Sequence, residues 1–100
     1  MSAHTPAPWT VDGTTAAENL DVIGEGGRVA MLDCDDIDAE TLEANARLIA
    51  ASPDLLDACR CALADLEGLA EAECFSLGDP AHLTIKELRA AIVKATGEAA

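Results

Sequence analysis

A small α+β fold, an antiparallel β-meander of two to three strands followed by and packed against two to three α-helices, is what the sequence predicts. Three observations predict it. Residues 1–33 hold short apolar runs separated by glycine turns, residues 36–97 repeat apolar side chains at three- and four-residue steps, and 100 residues, half of them hydrophobic, supply one core but not two. The chain is therefore read as a single domain, 1–100, strand-rich over 1–33 and helical over 36–97.

The strands come first. "APWTVDG" closes on Asp12-Gly13, "NLDVIG" runs into Glu25-Gly26-Gly27, and "RVAML" resumes an apolar run, which predicts turns at Asp12-Gly13 and at the glycine cluster. A sheet this small is marginal alone, so helices are expected over one of its faces.

The helical part opens with Asp36 or Asp38 as a cap, and Leu42, Ala46 and Ile49 follow at helical spacing. The spacing predicts a stop near Ser52, with Ser52 capping and Pro53 starting a second helix, because proline disfavours helical geometry at the residue before it. In that second helix Leu55, Cys59, Ala62, Leu66 and Leu69 form one row and Leu56, Leu63 and Ala70 an adjoining one. Gly78-Asp79-Pro80 makes a loop. A third helix is predicted to open on Thr84 and Glu87 as a capping box, with Ile85, Leu88 and Ile92 as its apolar face, and to end before Gly97.

Composition narrows the function. Nineteen acidic residues against six basic ones give a net charge of −13, a field that repels nucleic acid, anionic lipid and free nucleotides and attracts basic protein surfaces. Direct nucleic-acid binding is disfavoured. No apolar run approaches the roughly 20 residues that span a bilayer, and "MSAHTPAPW" lacks the basic and apolar regions of a signal peptide, so no membrane association and a cytoplasmic location are expected. With Trp9 and Phe75 the only aromatics, the core must rest on small aliphatic side chains, and a homodimer would bury more of it.

No catalytic or cofactor signature emerges, and neither an enzyme nor a cofactor is expected. Cys34, Cys59, Cys61 and Cys74 are expected to remain thiols, and the "CRC" thiols point about 200° apart on a helix, which prevents joint metal chelation. "DCDDIDAE" fails as a calcium loop because Asp38 stands where glycine is needed and Ala44 where glutamate is needed. His4 and His82 have no sequence-adjacent nucleophile, and "GEGG" fits a hairpin rather than a phosphate loop.

Two sets of candidate residues remain. Asp33, Asp35, Asp36, Asp38, Glu40 and Glu43 form the densest acidic run and suit a basic partner. Asn45 and Arg47, with Arg60, offer donors for an anionic ligand in a cleft between helix and sheet, although Arg47 also has the spacing to pair with Glu43.

"HTPAPW" at 4–9 followed by "EANARLIAASPDLL" at 43–56 resembles a family of small proteins encoded by bacteriophages and prophages. Its members carry a His-Thr-Pro-x-Pro-Trp element and an Ala-Asn-Ala-Arg-Leu-Ile-Ala-Ala-x-Pro-x-Leu-Leu segment. The resemblance implies phage origin and, by association with small phage accessory proteins, neutralisation of host defence. On that footing the expected function is a non-enzymatic, anti-CRISPR type inhibitor whose acidic run mimics nucleic acid on a basic host effector. The alternatives are a sponge that sequesters a nucleotide immune signal through Asn45, Arg47 and Arg60, and a virion or accessory protein without inhibitory role.

Overall fold

A computed structural model of the chain describes residues 4–14, 19–33 and 37–98. Three strands, β1 (Thr10–Thr14), β2 (Asn19–Gly24) and β3 (Gly27–Asp33), precede two helices, α1 (Ala39–Glu71) and α2 (Ala81–Thr96). The fold is α+β. Two compact units divide it, Met1–Asp54 and Leu55–Ala100.

In the first unit the strands form an antiparallel sheet in the order β1-β2-β3. The predicted turn at Asp12-Gly13 is overturned: Asp12 pairs with Asp21 and Gly13 with Leu20, so both lie inside β1. The Asp-Gly signal fails there because Gly13 serves a different need, a backbone φ of +99° within the strand. The second turn falls on Glu25-Gly26, with Gly24 facing Gly27 across it and Gly26 at φ +91°.

Period-two alternation places Leu20 and Val22 on one face of β2, where both are buried. Leu20 joins Leu42 and Ala46 of α1 in the core, with Leu32 of β3 packed against them. Burying a leucine such as Leu42 contributes roughly 2 kcal/mol. The other face carries Asp12 opposite Asp21, a like-charge cross-strand pair.

Ahead of β1 the "HTPAPW" stretch folds back on itself. Trp9 Nε1 donates to the Thr5 carbonyl at 3.0 Å, and the His4 ring meets the Trp9 ring edge-on at 6.0 Å. This element seats on Gly24. A Cβ there would lie 2.7 Å from Thr5 Cγ2 and 3.0 Å from both Trp9 Cδ1 and Val29 Cγ2.

The predicted corner at Ser52-Pro53 is corrected to one helix of 33 residues with Pro53 inside it. Proline removes the donor for the Ile49 carbonyl, which costs roughly 3 kcal/mol in a helix interior. Pro53 is itself buried, and that burial offsets part of the cost. Ser52 does not cap; its hydroxyl donates back to the Leu48 carbonyl at 3.1 Å, a bond that needs the preceding turn to be helical.

In the second unit α1 ends through paired bonds, Glu73 N–H to the Ala70 carbonyl and Cys74 N–H to the Leu69 carbonyl, each 3.0 Å. This is the pattern of a left-handed C-terminal turn, and Glu73 occupies its left-handed position at φ 58°. The predicted capping box of α2 is also corrected. Ahead of the helix Asp79 Oδ1 accepts from Ala81 N–H at 2.9 Å, and Pro80 stands at the cap position with φ −55° and ψ −20°. Thr84 lies within the helix and donates to the Pro80 carbonyl at 3.4 Å. Gly97 ends α2 at φ 72°, as the sequence predicts.

Candidate functional site

The acidic run is built around the start of α1. Asp38 is the cap: its backbone carbonyl accepts from Leu42 N–H at 2.9 Å and its Oδ1 accepts from Thr41 N–H at 2.8 Å. The Thr41 backbone and side-chain hydrogen bonds hold the Asp38 carboxyl below its ordinary value of 3.8. Asp38 is thus an anion fixed in place rather than a mobile surface charge. Glu40 stands exposed in the first turn, and Asp33 is exposed at the end of β3. Asp35 and Asp36, together with Cys34, lie outside the described residues.

Glu43 and Arg47 face the sheet one turn further on. They line a cavity of about 200 Å³ with Val11, Gly13 and Leu20. Arg47 Nη2 reaches Glu43 Oε2 at 3.4 Å, a long and exposed pair of small energetic worth. Glu43, placed by sequence with the acidic run, is therefore the carboxylate that neutralises the arginine of the competing set. Asn45 is exposed and is not part of that lining, and Arg60 lies in the second unit. Val11, Gly13 and Leu20 are not evident from sequence as cavity walls because Asp12-Gly13 carries a turn signal.

Over residues 1–99 the chain matches the family described as Salmonella phage P22 protein Y8K6. The chain belongs to that phage protein family. No curated protein and no solved structure matches it.

In this Y8K6 family member the two sequence motifs do different jobs. "HTPAPW" forms the seat on Gly24, whereas "ANARLIAASPDLL" is the uninterrupted middle of α1. Among the described residues of the Y8K6 family protein, no group of three or more His, Cys, Asp or Glu side chains is placed to hold a metal, and Cys59, Cys61 and Cys74 are free thiols. No described helix is long and apolar enough to cross a membrane.

Proposed function

We propose that this phage-family protein acts by binding, presenting acidic residues around the start of α1 to a basic surface of a host defence protein, as an anti-CRISPR type inhibitor. One observation carries the reading. Residues 1–54 hold eleven acidic side chains and two arginines, and both arginines are already engaged, Arg28 with Asp21 and Arg47 with Glu43 at 3.4 Å each. The first unit thus offers a basic partner carboxylates and offers an anion no unpaired Lys or Arg. The Glu43 carboxylate beside Arg47 weighs against the sponge, since a nucleotide on that arginine would meet a like charge.

The test is plaque formation on a host with an active defence system, with and without the protein. Glu40→Lys combined with Asp35→Lys, Asp36→Lys and Asp38→Asn should abolish protection, asparagine preserving the helix cap. Arg47→Ala should leave protection intact. Protection that survives the charge reversal and disappears with Arg47→Ala would transfer the function to the sponge.

A further inference from the structure

The C-terminal end of α1 is anionic in an unusual degree. A helix ends with about half a negative charge on its carbonyls, normally offset by Lys or Arg in the last turn. Here the last turn has no basic residue, and Glu67, Glu71 and Glu73 crowd it instead. Beside this end opens a cavity of about 320 Å³, lined by Glu67, Ala70, Glu71, His82, Ile85 and Arg89.

Most of its polar groups are already committed. Arg89 donates to Glu67 through both Nε, at 3.1 Å, and Nη2. The His82 Nε2 lies 2.9 Å from the Ser76 carbonyl, and the ring stacks edge-on against Phe75. Glu71 is different: its carboxylate has no ion-pair or hydrogen-bond partner among the described residues. Ala70 and the buried Ile85 add apolar wall.

We propose that this cavity anchors an arginine or lysine side chain of the partner protein, its aliphatic stem against Ala70 and Ile85 and its cationic head on Glu71. The inference rests on the binding function proposed above and adds a second, concave contact on the second unit. The chemistry selects a cation with a hydrocarbon stem. An anion meets Glu71 and the carbonyl pole, and a bare metal ion finds only one uncommitted carboxylate. A long side chain that buries its stem and keeps its charge paired matches both halves of the lining.

The experiment is an NMR titration of the full chain with the blocked tripeptide Ac-Ala-Arg-Ala-NH2. Shifts should concentrate at residues 67–72 and 82–89, and Glu71→Gln should weaken binding about ten-fold. Removing a negative charge from the negative pole of α1 favours the helix, so that loss would not reflect unfolding. Asp57→Asn, an equal charge change on the same helix, should bind as the parent does. Equal weakening by both variants, shifts spread over residues 4–54, or tighter Glu71-dependent binding of putrescine than of the peptide would each overturn the proposal. Partner capture that survives Glu71→Gln would remove the cavity and leave the acidic-surface reading standing. Peptide binding lost in Glu71→Gln, with plaque protection never observed, would do the reverse.

Discussion

Glu73 sits where an L side chain is penalised. Its φ of 58° places it at the left-handed position that ends α1, a place glycine fills at no steric cost. Glu73→Gly should therefore raise stability by about 1 kcal/mol, seen as a higher denaturation midpoint with an unchanged slope. Asp38 gives a second residue-scale outcome. Its carboxyl is held below 3.8 by the Thr41 hydrogen bonds, so its contribution is complete above that value and is lost as pH falls through the lower folded one. In denaturation curves from about pH 5 to about pH 2, the parent should lose its advantage over Asp38→Asn toward the acid end, because asparagine caps without titrating. A constant gap across the range would mean that the carboxylate contributes nothing specific.

At the scale of elements, α1 shows how packing overrides a local signal. Ser52-Pro53 is a sound helix start when read alone, yet the helical apolar spacing continues in phase through it, and Pro53 lies buried in the middle of one helix. Replacing it tests the balance. Pro53→Ala restores the missing donor and removes about 3 kcal/mol of proline cost, against about 1.6 kcal/mol for the two buried methylenes lost. The net expectation is stabilisation by about 1 kcal/mol, measured by thermal denaturation. A lower midpoint would show that the ring's packing dominates. Strands β2 and β3, a cap at Asp36 or Asp38 and the Gly97 stop are legible because alternation, capping and glycine chemistry are local. Asp12-Gly13, Ser52-Pro53 and Thr84-Glu87 misled because each signal is valid locally and the deciding interaction lies elsewhere. Gly13 answers to the strand it sits in, Pro53 to its burial within a continuous helix, and Thr84 to the hydrogen bond that Asp79 accepts five residues earlier. The cavity walls at Val11 and Leu20 were hidden for the same reason, since only sheet register brings them to Glu43 and Arg47.

For the whole molecule the governing quantity is net charge. At −13, with eleven of nineteen acidic residues in 1–54, self-repulsion opposes the folded state. Raising ionic strength from about 0.01 M to about 0.15 M shortens the Debye length from about 30 Å to about 8 Å and should raise the melting temperature. A melting temperature independent of salt would mean that the carboxylates are already compensated locally. The same screening should weaken any complex with a basic partner, so stability and binding are expected to move in opposite directions with salt.

The seat of Trp9 against Thr5 and Gly24 also makes the protein its own optical probe. The chain has one indole and no tyrosine, so its near-ultraviolet emission reports one place: the lodging of the amino-terminal element against the β2–β3 hairpin. Helical ellipticity, by contrast, follows α1 and α2. A methyl group at position 24 should dislodge the indole and shift its emission to longer wavelength while the ellipticity holds. The two spectra would then separate the release of one ring from the melting of the helices.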